Sequence, residues 1–235
     1  MTDISISCDA PDWTSIGAQL DVEGYALLPG AFDLDEAREL ARRIREDGVG
    51  RRVSLDSLEL GRGEIYRFGV QLPEPLASWR AALYRDLAPI ANRWNETLGV
   101  PYRYPADLNA FLQRNIDDGQ SKPLSNLSRL GAGDYLALHQ SSEGEHVFPM
   151  QVVVLLSESG EDFTGGEFVL TEQRPRMQSR PMVLPLRLGD AAIISTAQRP
   201  FKGSKGYYRV NLKHAISRVR DGERLGVELS FHNAP

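Results

Sequence analysis

The chain has 235 residues, 41% of them hydrophobic and 25% charged, an ordinary globular composition at a length that buries a core without disulfide or metal staples. Its single cysteine, Cys8, excludes an intrachain disulfide and any thiolate-rich metal or cluster site, and fits a reducing cytoplasm. A net charge of −5, from 27 basic and 32 acidic residues, argues against a protein that grips duplex phosphates.

The opening residues show no basic region followed by an apolar core, and the longest apolar run, Val152 to Leu156, is far short of the ~20 residues that cross a bilayer. Neither secretion nor a membrane span is expected. Gly24 to Gly30 reads as a short strand and turn. Asp33 and Glu36 then form a D-x-x-E capping signature ahead of apolar Ala37, Leu40, Ala41 and Ile44, which predicts a surface helix of about three turns. A second helical pattern starts near Pro75, carries Leu76, Trp79, Leu83 and Leu87 on one face, meets Pro89 and continues to Leu98, which predicts a kink or two helices. Leu108, Phe111, Leu112 and Ile116 make a third, short helix that ends at Asp117-Asp-Gly119.

From about residue 127 the pattern changes to short runs rich in Val, Ile, Leu and Tyr between glycine turns, near 130–140, 150–157, 166–172, 183–188, 191–195, 206–216 and 225–232. Strands at that spacing predict a sandwich or barrel. No linker or repeat divides the halves, so the expectation is one α+β domain over 1–235, with mainly helical support in 1–126 and a β core in 127–235.

Four histidines, at 139, 146, 214 and 232, restrict any histidine-based site. For a histidine alone, a hydrogen-bonded place at a sheet rim is the ordinary role. His214, however, opens the run H-x-x-x-x-V-x-x-G-x-R that ends on Arg224, and two antiparallel strands would bring that arginine back beside it. Upstream, Tyr135 lies four residues before His139 on a strand where residues 135, 137, 139 and 141 share one face.

Together these motifs resemble the Fe(II)/2-oxoglutarate oxygenase superfamily, in particular its prolyl-hydroxylase-like branch. Phe163-Thr-Gly-Gly-Glu-Phe168 and Leu188-Gly-Asp-Ala191 extend the resemblance over roughly residues 127–232. The stretch from Met150 to Ser157 and on through Arg180 is similar to a prokaryotic group assigned to nucleic-acid oxidation. The resemblance implies a double-stranded β-helix, or jelly roll, with flanking N-terminal helices. It implies His139 and His214 as iron ligands, Arg224 paired with the distal carboxylate of 2-oxoglutarate, and Tyr135 as a further hydrogen-bond donor to that cosubstrate.

One position departs from the pattern. The superfamily's metal site is two histidines and a carboxylate, and the carboxylate place, two after His139, holds Ser141. A water, Glu143 or Glu145 from the next loop, or a halide could fill that coordination position. The halide reading resembles the 2-oxoglutarate halogenases: Fe(II), 2-oxoglutarate, O2 and chloride would act together, and Ser141 would mark an open halide position. The expected activity is therefore chlorination of an unactivated carbon in a free nucleotide, nucleoside or amino acid. A hydroxylase or demethylase, or a non-catalytic 2-oxoglutarate or nucleotide binder, is the alternative.

The remaining features carry less. His146 and His232 read as surface or core histidines, although His146 could brace the site. Gly131-Ala-Gly133 and Gly203-Ser-Lys-Gly206 lack the full spacing of nucleotide loops. The basic cluster Arg42, Arg43, Arg45, Arg51 and Arg52 is interleaved with acids and reads as a solvated face. Arg62 and Arg67, in the helical half, are candidate substrate contacts.

Overall fold

The computed structural model describes residues 11–46 and 50–235. Cys8, on which the redox expectation rests, lies outside them. The described helices are α1 (Trp13–Glu23), α2 (Leu34–Glu46), α3 (Leu76–Thr97) and α4 (Leu108–Asp117). The strands up to the first histidine are β1 (Tyr25–Leu28), β2 (Arg51–Ser54), β3 (Gly61–Arg62), β4 (Glu64–Arg67), β5 (Lys122–Pro123), β6 (Asn126–Gly131) and β7 (Tyr135–His139). Beyond it come β8 (Met150–Leu155), β9 (Phe163–Gly165), β10 (Phe168–Gln173), β11 (Arg180–Leu184), β12 (Ala191–Ser195), β13 (Gln198–Gly203), β14 (Gly206–Ile216), β15 (Val219–Ser230) and β16 (Asn233–Ala234).

The helices form for the reasons their sequences give. Asp33 accepts from the Glu36 amide at 2.7 Å while the Glu36 carboxylate takes the Asp33 amide at 3.1 Å, so the predicted capping box closes at the start of α2. Pro89 neither kinks α3 into two helices nor ends it. It sits on the exposed side, where water can serve the carbonyl it frees, while Leu83, Leu87, Ile90 and Trp94 are buried. Each such side chain contributes about 1.5–3 kcal/mol of burial, which together exceeds the roughly 3 kcal/mol that an internal proline costs. Helix α1 was not legible as an element. Its buried positions are few, Ile16, Gly17 and Leu20, and its start depends on the Asp12 side chain accepting from the amides of Thr14 and Ser15.

Two antiparallel sheets face each other as a jelly roll. One runs β1-β12-β8-β15-β6-β4-β2 with β9 on β15; the other runs β11-β10-β14-β7-β3 with β13 on β14. The first half is thus more than helical support: β1 pairs β12, β4 pairs β6 and β3 pairs β7. Helices pack on the outside of the larger sheet, which explains the unbroken apolar run of β8. Val152 and Val154 belong to the core shared with Leu87, Trp94 and Phe111, whereas Val153 and Leu155 belong to the core between the sheets with Leu170, Ile194 and Ile216. A strand buried on both faces has no polar side to alternate with.

Strand β15 obeys the same alternation. Leu225, Val227 and Leu229 face the helices, and Arg224, Gly226 and Glu228 face the barrel interior, opposite inward Leu130 and Val153. The expected hairpin pairing of His214 with Arg224 does not occur. β14 and β15 lie in different sheets, and the chain crosses from one to the other between residues 216 and 219. Arg224 instead faces the barrel interior from the sheet opposite His214.

Candidate metal and cosubstrate site

His139 ends β7 and His214 stands on β14, and the two are direct cross-strand partners. Their rings lie 4.1 Å apart, centroid to centroid, tilted by 54°. Phe168 stacks on the His214 ring at 5.8 Å. The His139 Nδ1 donates to the Ala137 carbonyl at 2.9 Å, which fixes the ring and leaves the Nε2 lone pair for a ligand role. His214 is fully buried; its Nε2 lies 3.2 Å from the Gln151 amide nitrogen and its Nδ1 has no hydrogen-bond partner.

The third member of the cluster comes from β15. The Glu228 carboxylate lies 3.6 Å from His214 Nε2, and one ligand atom each of His139, His214 and Glu228 lie within 4.8 Å of one another. Neighbouring ligands about 2.1 Å from a metal and at right angles are about 3 Å apart, so small side-chain adjustments bring this group onto one ion. Glu228 Oε1 is buried without a hydrogen-bond partner. An unpaired carboxylate oxygen beside two imidazoles in one dry cluster is what a cation would satisfy.

The protonation states suit a metal as well. Burial, with the charge of His214, pushes the His139 pKa down to about 4. Burial alone would raise Glu228, but the adjacent His214 imidazole, with His139 and Asn126 close by, holds it down at about 2. Near neutral pH the imidazole of His139 is therefore neutral and the carboxylate ionised, the forms that bind metals.

Four residues before Glu228 on the same face, Arg224 is 3% exposed. Its Nε donates to the Gly166 carbonyl at 2.9 Å, and among the described residues no acidic side chain lies within ion-pair distance of it. Burial pulls its pKa down to about 10. The glycines around it are spatial necessities: at Gly166 (φ +65°) a Cβ would come within 3.0 Å of Arg224 Cδ, and at Gly226 within 2.8 Å of Nη1. A buried guanidinium without an acid beside it fits a carboxylate ligand brought from outside.

Tyr135 does not join the site. β7 carries a bulge against β14, so that Leu136 pairs with Ile216 while His139 pairs with His214. The extra residue reverses the alternation. Leu136 lines the cavity beside His139, and Tyr135 turns outward, 38% exposed. The same cavity is lined by Leu55, Leu60, Ile65, Arg67, Ser141, Glu143 and Glu228. Ser141 lines the same cavity as His139. Glu143 stands exposed at the rim, and Glu145 is exposed on the adjoining loop, where its amide donates to Gln120; neither belongs to the three-group cluster. His146 pairs with Asp118 at 2.9 Å and stacks on Tyr102, and buried His232 lies against Ser230. Of the two candidate substrate arginines, Arg67 lines the cavity, half-buried, whereas Arg62 is exposed and paired with Asp134.

With this geometry in place, the comparisons with known proteins are specific. Residues 63–234 match a family described as an oxygenase catalysing oxidative methylation of damaged DNA. The chain belongs to that oxygenase family. An uncharacterised protein of Mycobacterium tuberculosis strain H37Rv is 36% identical to it over 198 residues, 84% of each chain. Among solved structures, a Pseudomonas putida prolyl-4-hydroxylase superposes with a TM-score of 0.55 at 12% identity, covering 92% of this chain and 96% of the other. A 2-oxoglutarate–Fe(II) oxygenase-family oxidoreductase from Burkholderia pseudomallei gives 0.51 at 18% identity over 100% and 98%. Those two structures share the fold. The family assignment makes the chain an oxidoreductase of the Fe(II)/2-oxoglutarate oxygenase superfamily, for which Fe(II), 2-oxoglutarate and O2 are the expected partners. Among the described residues of this oxygenase, no helix is long and apolar enough to cross a membrane.

Proposed function

We propose that the protein is an Fe(II)- and 2-oxoglutarate-dependent enzyme in which His139 and His214 hold the metal, Arg224 binds the distal carboxylate of 2-oxoglutarate, and Arg67 receives an anionic group of a small substrate such as a free nucleotide. One observation carries the reading: the barrel that sets two histidine rings 4.1 Å apart also encloses a buried guanidinium with no acid within ion-pair distance among the described residues. When bound, the iron with 2-oxoglutarate and O2 supplies the oxidation of a substrate C–H bond, with release of succinate and CO2.

The residues of the chain do the rest. The Ala137 carbonyl orients His139, the Gly166 carbonyl orients Arg224, and Gly226 keeps space beside the guanidinium. Leu55, Leu60, Ile65 and Leu136 line the cavity and keep water away from the ligands. The substrate class rests on Arg67, whose pKa burial lowers while the charges of Glu143 and Glu228 oppose that, and on the family's description in terms of DNA. The net charge of −5 favours a free nucleotide or nucleoside over a duplex.

Chlorination and oxygen transfer differ in the occupant of one coordination position. Neutral Ser141 is what chloride would require, and it favours chlorination unless another carboxylate reaches the metal. A binding module that never turns over is the remaining reading. Anaerobic loading with Fe(II) and 2-oxoglutarate, followed by O2 in the presence of nucleotides, nucleosides or amino acids, separates them. Succinate release that needs iron and is stimulated by substrate is the expected result, with Arg67→Ala raising the KM for nucleotide and leaving 2-oxoglutarate affinity unchanged. Tight 2-oxoglutarate binding with no succinate under any of these conditions would establish the binding module instead.

A further inference from the structure

We infer that Glu228, on the last long strand, is the third protein ligand of the metal and replaces the carboxylate missing at position 141, so that the enzyme transfers oxygen rather than chloride. The inference rests on the assignment of His139 and His214 as metal ligands. Its basis is the side-chain arrangement. Glu228 faces the barrel interior, its carboxylate is 3.6 Å from His214 Nε2, and it completes a group of three donors within 4.8 Å. Its Oε1 is buried and has no hydrogen-bond partner, and although Arg224 shares its strand face, the two form no ion pair. An inward carboxylate oxygen left without a hydrogen-bond partner in an apolar barrel is costly to bury, and a divalent ion shared with the two imidazoles would remove that cost.

The cosubstrate sharpens the case. 2-Oxoglutarate brings carboxylates of its own into this barrel, and an unliganded Glu228 would repel them. A divalent metal held by Glu228 would offset that repulsion. Coordination counting then decides the chemistry. Two imidazoles and the Glu228 carboxylate would hold the metal, and an octahedral ion that also took two oxygens of 2-oxoglutarate would keep one position for O2 and none for a halide. The balanced reaction is substrate C–H plus 2-oxoglutarate plus O2 giving substrate C–OH, succinate and CO2: one oxygen atom enters the substrate and the other enters succinate.

The experiment titrates Co(II) and, without oxygen, Fe(II) into the wild type, Glu228→Gln, Ser141→Asp/Glu228→Gln and His139→Ala, with circular dichroism to confirm folding. Glu228→Gln is expected to weaken metal binding by about 100-fold, and the double variant to recover at least about tenfold of it, because a carboxylate returns beside His139. The visible spectrum of the Fe(II)–2-oxoglutarate complex should be the same in chloride and in bromide. Wild-type affinity in a folded Glu228→Gln, or a band that moves with the halide, overturns the inference while leaving the two-histidine site intact. Absence of metal binding in the wild type, or full binding by His139→Ala, overturns the functional assignment itself.

Discussion

Replacing Arg224 by methionine tests whether this arginine exists for the fold or for a ligand, because the two roles predict opposite signs. Burial lowers its pKa from 12.5 to about 10, which corresponds to roughly 3 kcal/mol of folding free energy spent on keeping a guanidinium charged in a dry barrel. Methionine has a similar reach and no charge, so that cost disappears; the lost hydrogen bond to the Gly166 carbonyl subtracts about 1–2 kcal/mol. The ligand-free variant should therefore be as stable as the wild type or up to about 2 kcal/mol more stable, a Tm raised by as much as about 6 °C at this chain length. Its affinity for 2-oxoglutarate should fall by at least about 2 kcal/mol, or roughly 30-fold, since the cosubstrate's carboxylate would be buried without a partner. Differential scanning calorimetry of the ligand-free protein and calorimetric titration of 2-oxoglutarate with Mn(II) in place of iron measure both quantities. A Tm several degrees lower, together with unchanged 2-oxoglutarate affinity, would refute the reasoning and make Arg224 a structural residue.

Other consequences follow from the same contacts. Gly226→Ala places a Cβ 2.8 Å from Arg224 Nη1 and should weaken 2-oxoglutarate binding about tenfold without changing metal affinity, since the guanidinium moves and the histidines do not; equal loss of both affinities would contradict this. His232 is held neutral by burial, helped by the charge of Arg80, with a pKa lowered from 6.5 to about 4. The unfolded chain takes up this proton below about pH 6.5 and the folded chain only near pH 4, so stability falls on acidification through that window by roughly 3 kcal/mol from this residue. His232→Gln should flatten the dependence of the urea midpoint on pH between about 6.5 and 4, and an unchanged slope would refute the assignment. Glu172 and Arg199 form a fully buried ion pair that also holds the end of α1 through the carbonyls of Asp21 and Val22. Glu172→Ala strands the Arg199 charge and should cost about 3–5 kcal/mol in thermal or urea unfolding; a loss below about 1 kcal/mol would mean that the pair contributes little.

Much of this protein is written in local sequence. The α2 capping box, the apolar face that carries α3 through Pro89, the doubly buried β8 and the spacing from His214 to Arg224 are patterns of a few residues whose physics is settled by near neighbours. They are enough for the α+β class, the jelly-roll resemblance and the two histidines. The strands of 51–67 were not readable, because β2, β3 and β4 become strands by pairing with β6 and β7 rather than by a strong pattern of their own. Tyr135 was assigned to the wrong face for a related reason: a bulge depends on the partner strand, and one inserted residue reverses every side chain before it. Glu228 is the clearest case. Its place four residues after Arg224 shows that the two share a strand face, but His214 lies on the opposite sheet, and how far an inward carboxylate on one sheet stands from an imidazole on the other is set by sheet packing. Sequence alone determined that position 141 lacks a carboxylate; only the tertiary structure, by bringing β15 across the barrel from β14, decided that another stands within reach.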